Sequence, residues 1–317
     1  MVCGTWAVHR QPEVRIRDMQ KARKSWIDLK ESEFEPMKIM SVTHSMTDHP
    51  LLQLDALIEL ADRIPKKYIR YHAGDVSPST SFEHAPQTNK VDMAPDEVIR
   101  NIEEAGAWLS LHHIQQDEIY ARLVCEVLDS VRESIGGKDS GFHNYAGWVF
   151  VSAPGAVTPY HMDHENNFIL QIKGEKEIHI FDPLARNVVS EECLELFHRT
   201  WSRDLVTYNE AHEAHATVLH AKPGLGAYMP TTAPHWVKNG NNVSITVSFT
   251  YYSSEVRRRE QLHQMNWILR RLGVAPAAVG SAPRRDALKH AVARPALATE
   301  SRLRGWYKPR GRFATPP

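Results

Sequence analysis

The sequence predicts a mainly β protein, a sandwich or small barrel, with a helical region before it and a basic helix after it. Residues 141–253 contain about eight short apolar or alternating segments that are separated by Gly, Pro, Asn and Asp. The last of these, 243–249, places Val, Ile, Val and Phe on one face. Residues 1–140 instead carry apolar residues at helical spacing.

Composition excludes several classes of protein. The 317 residues carry 38 Lys and Arg against 38 Asp and Glu, and 42% are hydrophobic, which excludes disordered, collagen-like and coiled-coil chains. The three cysteines, Cys3, Cys125 and Cys193, are too few and too scattered for a disulfide scaffold or a zinc ribbon, which favours a reducing compartment. No stretch approaches the ~18 apolar residues of a membrane span, and 1–24 lack the apolar core of a signal peptide. We therefore expect a cytoplasmic protein without membrane contact.

The region 1–140 is predicted to be helical and to pack on the barrel, after an irregular lead-in over 1–35. A first helix follows Asp48, His49 and Pro50, a second begins at 94–97, and a third covers about 116–135 and ends at two glycines. A short strand is expected at 68–71.

The barrel region, 141–253, contains the eight predicted strands. They are 148–152, 159–163, 167–172, 176–181, 216–221, 226–229, 235–238 and 243–251. A longer connection over 183–215, with a helix-like segment, interrupts them.

The third region, 254–317, is predicted to be a basic helix followed by a loosely ordered tail. From Glu255 onward there are 14 basic and four acidic residues, a net charge of +10 (14 − 4). Apolar residues form a helical stripe that includes Leu262, Met265, Leu269 and Leu272, which suits either a helix packed on the barrel or a homodimer contact. The charge would suit nucleic acid, but no nucleic-acid-binding motif accompanies it, so a solvated basic tail is the preferred interpretation.

The chemistry is concentrated in 157–181. His161 and Asp163 are two residues apart and would project to the same side of a strand. A third ligand must come from elsewhere, and His235 stands at the start of a later strand. Two histidines and one carboxylate form the facial triad of non-haem Fe(II) oxygenases. A lone His-X-Asp is nevertheless a weak signal, because it also occurs on ordinary polar strands.

Lys176 strengthens this hypothesis. It shares one face of a predicted strand with Ile178 and Ile180, so we expect it to point inward. A buried lysine needs an anion, and the distal carboxylate of 2-oxoglutarate would supply one. The alternative is a lysine at the strand end that reaches solvent. Further candidates for contact with this cosubstrate are Thr158 and Asn167, then Ser248, with Phe150 lining the site.

The run 157–181, the segment from Met229 to Trp236 and the final strand resemble the Jumonji C or cupin-like 2-oxoglutarate oxygenases, and among them the asparaginyl hydroxylases. The resemblance covers about 147–252. It implies a double-stranded β-helix (cupin or jelly-roll) core in which His161, Asp163 and His235 bind Fe(II). It also implies that Thr158 and Lys176 hold the far carboxylate of 2-oxoglutarate, with Asn167 near it, and that the C-terminal helices form a homodimer.

The resemblance predicts a hydroxylase that oxidises a C–H bond of a protein or peptide side chain, or of a small molecule, and converts 2-oxoglutarate to succinate. Two alternatives remain open at this stage. One is a non-catalytic metal-binding cupin that acts as a regulator or binding module. The other is isomerase or dioxygenase chemistry without 2-oxoglutarate, which would leave Lys176 without a purpose. Hydroxylation and demethylation are not distinguished by the sequence.

Overall fold

The computed structural model describes residues 25–293 and residue 295. Its strands are β1 Ile27–Asp28, β2 Met40–His44, β3 Ile69–Ala73, β4 Ala107–Leu111, β5 His143–Ser152, β6 Val157–His161, β7 Asn166–Lys173, β8 Lys176–Ile180, β9 Thr217–Ala221, β10 Leu225–Met229, β11 His235–Asn239 and β12 Ser244–Tyr252. Its helices are α1 Leu54–Arg63, α2 Ala85–Thr88, α3 Pro95–Arg100, α4 Glu118–Ser134, α5 Glu191–Thr200 and α6 Ser254–Arg271.

The strands form two antiparallel sheets. The large sheet has the order β1-β2-β10-β7-β12-β5-β4-β3, and the small sheet has the order β6-β11-β8-β9. One apolar cluster contains side chains of both sheets, such as Ile169 and Met229 from the large sheet and Ile178 and Val237 from the small one. The sheets therefore pack face to face, as the predicted double-stranded β-helix requires.

Alternation along the strands separates an apolar core from a polar interior. In β12, Val247 and Phe249 join the main apolar cluster, which also contains side chains of α1, α3 and α4. Ser248 and Thr250, between and beyond them, line a cavity instead. β12 therefore packs apolar side chains on the helical side of the large sheet and places small polar ones on its inner side.

All eight strands predicted for the barrel region are present as β5 to β12, with ends shifted by a few residues. The three predicted helices correspond to α1, α3 and α4, and Asp117 caps α4 by accepting from the N–H of Ile119 and Tyr120. The strand predicted at 68–71 is present as β3. The region 1–140 also supplies β1, β2 and β4, which were not predicted, and these four strands extend the large sheet at both ends.

The described residues group into two compact units, and the division of the chain into three regions stays a prediction. One unit contains the described residues up to Val189 together with Ser202–Val256, so it crosses the predicted boundary at 140. The other contains Ser190–Trp201 and the described residues from Arg257 onward.

Within the second unit, Arg270 of α6 makes a bidentate ion pair with Glu195 of α5, with both N–O distances at 2.9 Å. Of the predicted apolar stripe, Leu262 and Met265 are buried whereas Leu272 is 74% exposed. A further helix covers 283–293, where the sequence predicted loose order. The rest of the tail and the first 24 residues lie outside the described residues. The homodimer, the nucleic-acid contact and the cytoplasmic location stay predictions.

Across the described residues, no helix is both long enough and apolar enough to cross a membrane.

Candidate metal centre

The three predicted ligands meet at one end of the small sheet. His161 is the last residue of β6 and His235 is the first residue of β11, and the register of these antiparallel strands places the two side by side. Asp163 lies two residues beyond the end of β6, so the expectation that it shares a strand with His161 is wrong. Its carbonyl accepts from the N–H of Thr232, 2.8 Å away, and this hydrogen bond holds the turn against the segment that leads into β11.

The ligand atoms of this triad are close enough for one ion to touch all three. Oδ2 of Asp163 lies 4.0 Å from Nε2 of His161 and 3.9 Å from Nε2 of His235. All three atoms lie within 4.8 Å of one another. Metal–ligand bonds of about 2.1 Å at right angles place ligand atoms about 3 Å apart, so a bound ion would draw the three groups together by about 1 Å.

Backbone hydrogen bonds orient both imidazoles toward that point. Nδ1 of His161 is 2.8 Å from the carbonyl oxygen of Pro159, and Nδ1 of His235 is 3.0 Å from that of Ala233. Each carbonyl belongs to the residue two positions earlier and accepts the Nδ1 proton. The Nε2 lone pairs are therefore left to face Asp163, which is how metal-binding histidines are held.

The His161 ring is kept neutral and fixed. Burial lowers its pKa well below the usual value, and the neighbouring His235 and Arg203 lower it further, while Asp163 opposes them. The ring of Phe82 stacks on it, with 3.8 Å between ring centroids and an angle of 10° between the planes. A neutral imidazole is the form that binds a metal.

Arg203 holds the carboxylate. Its Nε donates to Oδ1 of Asp163 at 2.9 Å, which leaves Oδ2 for the imidazoles. Burial alone would raise the pKa of Asp163, but the opposing effect of the positive charge of Arg203 prevails, so the pKa is lowered. The same guanidinium lies 4.0 Å from Glu165, whose pKa burial raises despite this charge. Asp163 is thus ionised and oriented before any metal binds.

Lys176, the first residue of β8, is 5% exposed and lines the same cavity as the triad. The predicted inward direction is confirmed, since Ile178 and Ile180 are also buried and Glu177 between them is exposed. Burial lowers the pKa of Lys176 to about 7. Within the part of the chain that the structure describes, no carboxylate pairs with its ammonium group. The cavity therefore contains a buried cation without a counter-ion.

The remaining predicted residues, Thr158, Asn167, Ser248 and Phe150, all line this cavity. Oγ1 of Thr158 accepts from the indole N–H of Trp108 at 2.8 Å, so its own hydroxyl proton is available to a ligand. Among the described residues, Oδ1 of Asn167 and Oγ of Ser248 are buried without a hydrogen-bond partner. Buried polar atoms of this kind indicate a ligand site.

Several lining residues were not predicted from the sequence. Arg203 belongs to the short 3₁₀ helix Arg203–Leu205 in the long connection, 40 positions after Asp163 (203 − 163), where no spacing rule applies. Trp108 lies on β4 and His112 just after it, in the region predicted to be helical. The apolar run after Gly106 is the signal that could have identified this strand.

A comparison with protein families matches residues 59–257 to the cupin-like domain. Comparison with curated proteins finds no match. The similar solved structures include the ribosomal oxygenase YcfD from Escherichia coli, with a TM-score of 0.42, 15% identity and coverage of 84% of this chain and 64% of that one. They also include the same protein in complex with cobalt and 2-oxoglutarate, with a TM-score of 0.40, 15% identity and the same coverage of both chains.

The chain thus spans 64% of the length of these structural neighbours. The family match covers 59–257, which is more than half of the 317 residues and includes every residue of the candidate metal centre. The chain belongs to the cupin-like domain family.

Proposed function

We propose that this chain is an Fe(II)- and 2-oxoglutarate-dependent oxygenase that hydroxylates a C–H bond of a protein or peptide side chain or of a small molecule. One observation carries the proposal. A single cavity contains three convergent ligand atoms for a metal and, lining the same space, a buried ammonium group without a carboxylate partner among the described residues. A metal-binding 2-oxo acid with a second, distal carboxylate matches both features.

His161, Asp163 and His235 would bind the iron through Nε2, Oδ2 and Nε2. These three ligands leave coordination positions open, and iron bound there would supply oxygen activation coupled to the oxidative decarboxylation of 2-oxoglutarate to succinate. Arg203 keeps Asp163 ionised and fixes which of its oxygens faces the histidines.

Lys176 would bind the distal carboxylate of 2-oxoglutarate. The burial that lowers its pKa also makes its charged form costly, and a carboxylate offsets that cost with a charge-assisted hydrogen bond. Thr158 can donate its hydroxyl proton to the same group because its oxygen already accepts from Trp108. Ser248 Oγ and the amide of Asn167 supply further hydrogen bonds from the inner side of the large sheet.

Aromatic side chains around the cavity exclude water from the reacting groups. Trp108 and Phe150 lie with ring centroids 5.7 Å apart, and Phe82 covers one face of His161. Exclusion of water strengthens the ion pair that Lys176 would form and protects reactive species from side reactions.

Turnover of the cosubstrate tests the proposal. We expect the protein, incubated with Fe(II), ascorbate, oxygen and 2-oxoglutarate, to form succinate detectable by NMR, and Asp163→Ala to form none. Glu177→Ala, which removes an exposed carboxylate of β8, is the matched control and should behave as the wild type. Succinate formed at equal rates by wild type and Asp163→Ala would contradict the assignment. Iron bound at the triad without succinate under any condition would favour a non-catalytic binding module.

A further inference from the structure

We propose that a basic groove beside the edge strand β3 binds an acidic, extended peptide segment of the substrate and directs it to the metal centre. The basic groove is defined by Lys67, Arg70, Tyr71, Glu83, Lys90 and His112. This inference rests on the proposed function, because it takes the groove to be the approach of the substrate to the iron.

Charge in the basic groove is one-sided. It is an open depression of about 580 Å³ whose walls carry three cations, Lys67, Arg70 and Lys90, against the single carboxylate Glu83. Glu83 already has a hydrogen-bond partner, since its Oε1 accepts from the backbone N–H of Arg203 at 2.6 Å. The whole chain is neutral at pH 7, so this local excess is a property of the groove and not of the protein at large.

No ion pair with a carboxylate neutralises these cations among the described residues, although Nη2 of Arg70 donates to the carbonyl oxygen of Phe82. Within residues 25–293 and 295, neither Lys67, Arg70 nor Lys90 forms an ion pair with a carboxylate, whereas Lys30 and Lys38 each pair with a glutamate three residues away. Lys67 and Lys90 are exposed. Arg70 is half-buried and its Nε has no hydrogen-bond partner. A buried guanidinium N–H without an acceptor is a donor that a bound anion would satisfy.

The basic groove adjoins the metal cavity. His112 lines both of them. The guanidinium of Arg70 lies 4.7 Å from the centroid of the Phe82 ring, and the same ring stacks on His161. One aromatic ring therefore separates the innermost cation of the groove from a proposed iron ligand. A chain anchored in the groove would bring a neighbouring residue to the metal.

Backbone groups along the groove favour an extended peptide as the occupant. Among the strands that the structure describes, β3 is the last of the large sheet and pairs with β4 alone. The N–H of His112 bonds to the carbonyl of Tyr68 at 2.7 Å, so alternation places the N–H and C=O of Arg70 toward β4 and those of Tyr71 on the outer side. The N–H of Ala73, two residues after Tyr71, also points to the outer side and donates to the carbonyl of Asn89 at 2.9 Å. An incoming strand can pair with Tyr71 in the same way, with its acidic side chains near the cations.

Fluorescence anisotropy on the full chain tests the groove, with a fluorescein-labelled oligoglutamate peptide as the probe. We expect salt-sensitive binding that Lys67→Glu/Lys90→Glu weakens by about tenfold or more, because two attractions become repulsions. Lys138→Glu/Lys238→Glu makes the same change in net charge at exposed lysines outside the groove and should alter affinity by less than about twofold. Near-ultraviolet circular dichroism checks that each variant is folded. Equal weakening in both double variants would overturn the groove as the site.

Two further probes separate the parts of the inference. An oligoglutamate peptide that is N-methylated at alternate residues keeps its charge but cannot pair with an edge strand, so we expect it to bind at least about fivefold more weakly. Equal affinity would overturn pairing with β3. Binding of pyrophosphate at the groove with no binding of the peptide would overturn the peptide as occupant in favour of a small phosphorylated ligand. The iron and 2-oxoglutarate absorption of wild-type protein is independent of the peptide, so failure of the groove and failure of the oxygenase site are distinguishable.

Discussion

The triad and Lys176, at the two ends of the cavity, differ in whether their charged groups have partners. At the triad, every charged group has a partner before any ligand arrives, because Arg203 neutralises Asp163 and burial keeps His161 uncharged. At Lys176, a buried cation has no carboxylate partner among the described residues. The first arrangement suits a metal ion, which needs oriented and deprotonated ligands, and the second suits an anion. The contrast divides the cavity into a proposed metal end, at the triad, and a proposed carboxylate end, at Lys176.

The largest expected effect is a loss of metal affinity at the triad. Asp163→Ala removes one of three ligands and leaves the Arg203 charge buried without its partner. We expect affinity for Mn(II), measured by calorimetric titration, to fall by more than about a hundredfold, since removal of even an outer-shell partner costs 10–100-fold. Glu177→Ala serves as the control, and wild-type affinity in Asp163→Ala would show that the metal binds elsewhere.

The second effect is a loss of affinity for 2-oxoglutarate without a loss of affinity for the metal. Lys176→Met keeps the length of the side chain and removes its charge, so 2-oxoglutarate should bind roughly 10- to 100-fold more weakly, the value of a charged hydrogen bond. Affinity for Mn(II) should stay unchanged, and the free energy of unfolding should not fall, because an unpaired buried charge has been removed. Lys173→Met, at the exposed end of β7, is the matched control. Equal loss of metal and 2-oxoglutarate affinity would erase the distinction between the two ends.

A smaller effect tests whether Arg203 orients Asp163 for metal binding. Arg203→Gln leaves all three ligands in place but removes the charge that orients Asp163, so affinity for Mn(II) should fall by about tenfold. Arg100→Gln, which removes a half-exposed arginine on α3, is the control and should change nothing. An unchanged affinity in Arg203→Gln would mean that the turn after β6 orients Asp163 without help.

The last effect concerns stability and not binding, and it is a pH dependence of the free energy of unfolding. Lys176 has a pKa of about 7 in the folded protein and 10.5 in the unfolded chain. Between these pH values the unfolded chain therefore binds more protons than the folded protein. The free energy of unfolding should therefore rise with pH above about 7, by at most about 1.4 kcal/mol per pH unit. Urea titrations from pH 6 to 9 should show this rise in the difference between wild type and Lys176→Met. A difference that is flat with pH would mean that burial does not lower the pKa of Lys176.

Sequence patterns predicted the carboxylate end better than the metal end. Alternation with Ile178 and Ile180 was enough to predict that Lys176 is buried, because a regular strand fixes which side chains share a face. Asp163 lies beyond its strand, and its approach to the histidines depends on a turn that strand periodicity does not describe. Arg203 comes from the long connection and reaches Asp163 only through the tertiary fold. Residues of this kind have no spacing signal in a single sequence.

The barrel region was likewise predicted more completely than the region before it. β5 to β12 are separated by turn residues and show apolar alternation, so all eight could be recognised. β1 has two residues, and β4 is buried at every position and has no alternation to separate it from a helix. These strands become visible only through their pairing with the large sheet.

The central claim is that iron and 2-oxoglutarate bind together in one cavity whose two ends are the triad and Lys176. Anaerobic addition of Fe(II) and 2-oxoglutarate should produce a visible metal-to-ligand charge-transfer band in the wild type. At a 2-oxoglutarate concentration that just saturates the wild type, the band should be lost in Lys176→Met and retained in Lys173→Met. Absence of the band in wild-type protein with iron demonstrably bound, or equal bands in all three proteins, would contradict the account.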